Sequence, residues 1–276
     1  MRSTLKITSA MRLVATSKLR KAQQSIERLR PFEEAMSRIL GAVESCPEGG
    51  EGAKAPEAAA GAGKTVILAF SGNASMCGAF NANAIRKAQE AGAAAGESVE
   101  YWAFGRKMAD ALRKAGTPAA RDYSELVSEP AFDGTAAVAA DLRESFFSGS
   151  VSRVLLVYNH FVNMGKQVPV CEQFLPFVTP EPCGDEVQLP YPDYYIYEPS
   201  VAELKSSLIP QVLDLKLYEA LLDSAAAEHA ARMVAMQNAT DNGQELLDEL
   251  TLEYNKGRQQ KITSDILDLV SGASEI

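Results

Sequence analysis

Ala58, Gly63, Lys64 and Thr65 satisfy a loose phosphate-loop pattern, A-x4-G-K-T. Such a loop works only between a strand and a helix, where backbone N–H groups and the helix N-terminus converge on the anion. Here the pattern follows a Gly-, Ala- and Glu-rich stretch and precedes the apolar run TVILAF (65–70), which reads as a strand. The expectation is a linker that happens to spell GKT. The two histidines (His160, His229) and four cysteines (Cys46, Cys77, Cys171, Cys183) include no CxxC pair, which argues against zinc and for a reducing compartment. His229 falls on a heptad seam and is expected to be buried there. Cys77 reads as packed rather than nucleophilic. Asp141 and Glu144 read as a solvated helix face, not an acid–base pair. No catalytic constellation, cofactor site or metal site emerges, so the information must lie in the long elements.

The chain has 276 residues, 46% of them apolar, enough for one large or two small domains with a real core. No run approaches the ~18 apolar residues of a membrane span, and MRSTLKITSAM lacks the apolar core of a secretory signal. Residues 1–40 hold nine Lys and Arg against three Glu, on a chain whose overall charge is −9. A basic arm on an acidic body suits a specific acidic partner better than nucleic acid, although a solvated basic helix face would look the same.

Residues 3–45 are helical in pattern, interrupted only by Pro31 and Gly41. Ile7, Met11 and Val14 step by 4 and 3; after a shift of phase, Ala22, Ile26, Leu29, Glu33, Met36, Leu40 and Val43 form a heptad seam with one polar member. Pro31 should bend this helix rather than end it. Residues 46–64 read as a flexible low-complexity linker. Residues 65–198 alternate: strands at 65–70, 99–104, 152–161 and 167–176, and helices at 81–95, 106–115 and 132–147, the last with Asp133 as N-cap. The order implies an α/β domain with an open, mainly parallel Rossmann-like sheet, helices on both faces, and the Pro169 strand at an edge.

From 199 to 276, Leu204, Leu208, Gln211, Leu215, Tyr218, Leu222, Ala225, His229, Arg232, Met236, Ala239, Gly243, Leu246 and Leu250 alternate by 4 and 3. Pro210 suggests that the main helix starts at Gln211, which would make it roughly 93 Å long. The small residues of 225–239 permit close helix approach. Two seamed helices at opposite ends of the chain pair most economically as a long antiparallel coiled coil. The acidic Glu245, Asp248, Glu249 and Glu253 are expected beside the basic first helix.

KITSAMRLVATSKLRKAQ (6–23) resembles the N-terminal signature of the gamma subunit of F-type ATP synthases. ARMVAMQNATDNG (231–243) and LEYNKGRQQKITSDILDLVSGA (252–273) resemble its C-terminal signature. MCGAFN (76–81), VYNHFVNMGKQVPV (157–170) and YIYEP (195–199) match in kind and order, so the resemblance covers nearly everything outside the linker. It implies a central-stalk rotor subunit with no catalytic residue, cofactor or metal of its own. Its implied partners are three alpha and three beta subunits, the epsilon subunit and the membrane c ring. The implied location is peripheral, at the cytoplasmic face of the bacterial plasma membrane. Carried over residue by residue, the contacts to beta-subunit loops fall on Ile7, Thr8, Met11 and Lys18 of the first helix. On the last helix they fall on Asn255, Arg258, Gln259 and Thr263. Contacts toward the c ring and epsilon fall on Tyr195, Tyr197 and Glu198.

Two departures matter. The family carries further residues before its K-I-T-x-A-M motif, so the tip of the last helix is expected to stand unpaired here. The family turn S-x-D-R-G-L-C-G is replaced by Ser71-Gly72-Asn73-Ala74-Ser75-Met76-Cys77-Gly78, which removes the Asp and Arg of an ion pair. The alternatives are a coiled-coil scaffold, which explains the helices but not the paired signatures, and a phosphate-loop nucleotide binder.

Overall fold

The computed structural model describes residues 2–44, 63–96, 98–177, 197–198 and 200–273. In chain order the elements are α1 (Arg2–Glu44), β1 (Lys64–Phe70), α2 (Phe80–Ala95), β2 (Val99–Phe104), α3 (Arg106–Lys114), β3 (Arg121–Asp122), α4 (Ser124–Ser128), α5 (Phe132–Phe147), β4 (Val151–Asn163), β5 (Lys166–Leu175) and α6 (Val201–Ala273).

The strands form one five-stranded sheet in the order β3-β2-β1-β4-β5. β1 pairs in parallel with both β2 and β4, and only β5 runs antiparallel, at an edge. Pro169 is tolerated there because an edge strand has one side without ladder bonds. Alternation along β1 sends Ile67 and Ala69 to one face, where Ala84 and Ala88 of α2 and Met108 and Leu112 of α3 cover them. Val66, Leu68 and Phe70 point the other way, onto Val138, Leu142 and Phe146 of α5 and Leu213, Leu217 and Leu221 of α6. Both faces are buried, so β1 reads as a continuous apolar run.

α1 and α6 pack antiparallel. Leu5 meets Gly243, Thr8 meets Thr240, Arg12 meets Gln237, Leu19 meets Ala226 and Ala230, and Met36 and Val43 meet Leu208 and Leu215. The seam of α1 is one unbroken 3–4 series: Leu5, Thr8, Arg12, Ala15, Leu19, Ala22, Ile26, Leu29, Glu33, Met36, Leu40, Val43. The phase shift expected from sequence does not occur. Ile7 and Val14 are 57% and 58% exposed. Thr8 and Arg12 hold the seam positions because each finds a polar partner on α6, and reading apolarity alone steps past them.

Other expectations also need correction. α6 runs straight through Pro210 and begins at Val201, not Gln211. The Pro210 carbonyl accepts from Arg143 Nη1 at 2.9 Å, and buried Leu208, Leu213 and Leu215 hold the flanking turns. Gln211, Ala239, Leu246 and Leu250 are exposed. Beyond Leu222, Ala226, Ala230, Met233, Gln237 and Thr240 face α1, one residue out of the expected phase, while Gly243 of the expected series meets Leu5. No ion pair joins α1 to α6 among the described residues, and Asp248, Glu249 and Glu253 lie beyond the paired region. The cap of α5 is Ala131 without a side-chain bond; Asp133 sits in the first turn, where its charge favours the helix dipole. β3 and α4 are too short to leave a periodic signal.

Candidate functional site

The rod formed by α1 and α6 presents the exposed residues that the sequence pointed to, at two levels. Ile7 and Lys18 are exposed and Thr8 and Met11 half-buried on α1. Thr8 is a seam residue: Thr240 Oγ1 donates to its hydroxyl at 2.9 Å. Asn255, Arg258, Gln259 and Thr263 are all exposed on the distal part of α6, with the Thr263 hydroxyl donating to the Gln259 carbonyl at 2.9 Å. Leu5 of α1 packs against Gly243, so the second group starts about 18 Å further along the axis, at 1.5 Å per residue. From Asp248 to Leu267 every residue of α6 is exposed. Large apolar side chains lie bare there: Leu250, Leu252, Tyr254, Ile262, Ile266 and Leu267.

Tyr197 and Glu198 stand at the opposite end of the rod. The Tyr197 hydroxyl donates to the Ala42 carbonyl at 3.2 Å, and its ring packs in the cluster of Met36, Val43, Leu208 and Leu215. Glu198 is exposed. Tyr195 lies outside the described residues.

Where the rod meets the sheet, α6 carries polar groups that sequence reasoning passed over. Glu228 and Arg232 form an ion pair at 2.6 Å, with side chains 9% and 13% exposed. Gly72, just after β1, abuts the Glu228 carboxylate so closely that a Cβ there would lie 2.7 Å from its Cδ. This is the carboxyl end of β1, between β2 and β4, the crevice where doubly wound sheets bind ligands. Here α6 fills it. Ala227 and Ala231 pack on Cys77, Phe80 and Phe161 alongside. Cys77 is buried in this contact, and burial pushes its thiol up; it is a packed residue, as expected. Gly63 and Lys64 of the GKT pattern run into β1, and Lys64 pairs with Glu100 at 3.4 Å. No helix N-terminus follows them to receive a phosphate.

One turn earlier, Asp223 accepts from the Phe161 N–H at 3.0 Å and lies 2.6 Å from His160 Nδ1. Burial raises its carboxyl above the usual range, and those two contacts oppose the rise. His229 is held neutral. Burial, then Arg232 and Lys18, lower it to about 4, and its Nδ1 has no hydrogen-bond partner among the described residues. Spacing contained a signal for the ion pair, since Glu228 and Arg232 stand four apart, but not that they face the sheet. Asp223 had no sequence signal, because its partners come from a strand more than sixty residues away.

A family profile described as ATP synthase matches residues 1–276. The chain is 41% identical over 278 aligned residues to the ATP synthase gamma chain of Bacteroides fragilis, covering 98% of this chain and 94% of that one. The chain belongs to the ATP synthase gamma-chain family. It is also 38% identical to the gamma chain of Flavobacterium psychrophilum, covering 99% of this chain and 94% of that one. The fold is that of a chain in the central stalk and c-ring structure of the Tetrahymena thermophila mitochondrial ATP synthase. There the TM-score is 0.62 at 22% identity, over 85% of this chain and 99% of that one. A chain of the Euglena gracilis mitochondrial enzyme superposes with a TM-score of 0.55 at 16% identity, over 96% of this chain and 94% of that one.

Proposed function

We propose that this chain is the central-stalk rotor subunit of a proton-translocating F-type ATP synthase. In this reading it turns with the membrane c ring and drives the catalytic beta subunits through their conformational cycle. The observation that carries the reading is the antiparallel rod of α1 and α6, the two terminal helices, packed against the sheet through α6, on a chain that matches gamma chains over 98% of its residues. Such a rod fits the axis of a ring of alternating alpha and beta subunits. Ile7, Thr8, Met11 and Lys18, with Asn255, Arg258, Gln259 and Thr263, are the proposed contacts to the beta-subunit loops. Exposed polar contacts of this kind are worth only about 0–1 kcal/mol each, which suits bonds that break at every step. Tyr195, Tyr197 and Glu198 are proposed to lie toward the c ring and epsilon.

The paired helices give the shaft stiffness, and the Glu228–Arg232 contact over Gly72 keys the shaft to the body, so that torque applied to one is felt by the other. No helix among the described residues is long and apolar enough to cross a membrane. Membrane association in this reading is peripheral, through the c ring at the cytoplasmic face of a bacterial plasma membrane. The test is reconstitution with alpha and beta subunits of the same organism. A stable three-component complex that hydrolyses ATP, while the chain alone does not, supports the proposal. Failure to assemble, or hydrolysis by the chain alone, contradicts it.

A further inference from the structure

Where the rod meets the body there is a cleft of about 250 Å³, bounded on one side by α6 and on the other by the start of α2 and the β4–β5 hairpin. Four amide side chains from four elements line it: Asn83 of α2, Asn159 of β4, Gln167 of β5 and Asn238 of α6. Asn159 is 1% exposed, and its Nδ2 donates to the Phe80 carbonyl at 3.2 Å. That bond fixes the amide and leaves Oδ1 without a partner among the described residues. Gln167 Nε2 donates to the Asn163 and Met164 carbonyls at 3.3 and 3.0 Å. Both its N–H groups are thereby used, and Oε1 is left as an acceptor. Asn83 accepts from Arg86 at 3.4 Å and keeps its Nδ2 as a donor. The Asn238 side chain makes no hydrogen bond among the described residues.

Phe80, Met164 and Val234 give the cleft apolar walls, and no charged side chain among the described residues lines it. A charged ligand would leave water there without a counter-charge, which is costly. The start of α2 borders the cleft, but its first N–H, that of Phe80, is taken by the Cys77 carbonyl at 3.3 Å, and the Asn159 and Gln167 oxygens repel an anion. A neutral group that both donates and accepts meets every open amide. Its N–H finds Asn159 Oδ1 or Gln167 Oε1, and its carbonyl accepts from Asn83 or Asn238. A carboxamide or a lactam carries those two functions on one edge. A cavity of about 150 Å³ holds a benzene ring, so a ring bearing such an edge has room here. We propose that this cleft binds a small neutral ring compound with a carboxamide or lactam edge. Such a ligand touches α6 and the sheet domain at once and so ties the rod to the body.

The test is titration of the full-length chain, its methionine methyl groups labelled for NMR, with benzamide, benzoate and protonated benzylamine at neutral pH. Met164 lines the cleft, and Met108, buried between α3 and the sheet, is the internal control. Benzamide is expected to shift the Met164 methyl saturably and leave Met108 unmoved. Benzoate and benzylamine should bind roughly tenfold or more weakly. Asn238 is exposed on α6, so Asn238→Leu leaves the fold intact and should weaken benzamide roughly three- to tenfold, the loss of one hydrogen bond. Ala235→Phe fills the cleft and should abolish the shift, with a melting curve to check that the variant is folded. No saturable Met164 shift with benzamide, or equal binding of the three compounds, would overturn the proposal. So would an unchanged affinity in Asn238→Leu, or benzamide binding retained by a folded Ala235→Phe.

Discussion

Replacing Glu228 by alanine takes the carboxylate from Arg232 and leaves the guanidinium in place beneath the β1–α2 turn. The two side chains are 9% and 13% exposed and 2.6 Å apart, so the surviving charge has little water to turn to. Breaking a buried pair by removing one partner costs about 3–5 kcal/mol. At roughly 2–4 °C per kcal/mol for a chain approaching this size, the melting temperature should fall by about 6–20 °C. Glu228→Gln retains an acceptor for Arg232 and should lose less. The double variant Glu228→Leu/Arg232→Met removes both charges and should recover most of the loss, since a well-packed apolar pair commonly equals a buried ion pair. Thermal unfolding followed by circular dichroism at neutral pH ranks the four proteins. A loss under about 1 kcal/mol in Glu228→Ala would show that Arg232 is solvated despite its burial. A double variant no better than the single would show that shape, not charge, decides the contact.

Three further outcomes are expected. Gly105 has φ +112°, and a Cβ there would lie 2.2 Å from the Ser71 carbonyl oxygen. Gly105→Ala should therefore lose clearly more stability in urea than Gly116→Ala, where φ is +81° but nothing lies within 4 Å; equal losses would argue that backbone strain alone matters. Leu19 is 1% exposed against Ala22, Ala226 and Ala230, so Leu19→Ala should cost about 2–5 kcal/mol by urea unfolding. His229, held at about 4, binds fewer protons folded than unfolded. Its contribution is fully present above its ordinary value of 6.5 and is lost as pH falls toward 4. His229→Gln should flatten that acid-side loss in melts at pH 4.5 and 7, and an unchanged pH slope would count against a neutral buried imidazole. Glu219 on α6, which burial raises to about 7, tilts stability the opposite way over nearly the same window, so the unmodified chain alone would show neither slope cleanly.

How much of this was legible in the sequence follows from which interactions are local. β1, β2 and α5 declare themselves because two-faced burial makes continuous apolar runs and a helix of four turns makes a period. The placement of β5 at an edge follows from Pro169 alone. The seam of α1 was misread over its first fifteen residues because Thr8 and Arg12 are polar at inward positions, and their partners are more than two hundred residues away. Pro210 looked like a stop because a proline's lost bond is visible in sequence, while the support from Arg143 and the buried leucines around it is not. The family motifs located the exposed tip and the residues proposed to meet the beta subunits. They did not reveal the polar groups where α6 meets the sheet: Glu228 and Arg232 lie on α6 four residues apart, but the Gly72 turn they pack against is more than 150 residues away.

In the proposed function this chain rotates as a shaft within a ring of catalytic subunits. The most direct measurement is single-molecule: assemble the chain with alpha and beta subunits fixed to a surface and attach a bead through the exposed Cys171 on β5, with the other cysteines replaced by serine. ATP is then supplied. Unidirectional stepping of the bead that stops when ATP is withdrawn is the predicted result. A bead that stays still, or only diffuses, on a complex that hydrolyses ATP would contradict it.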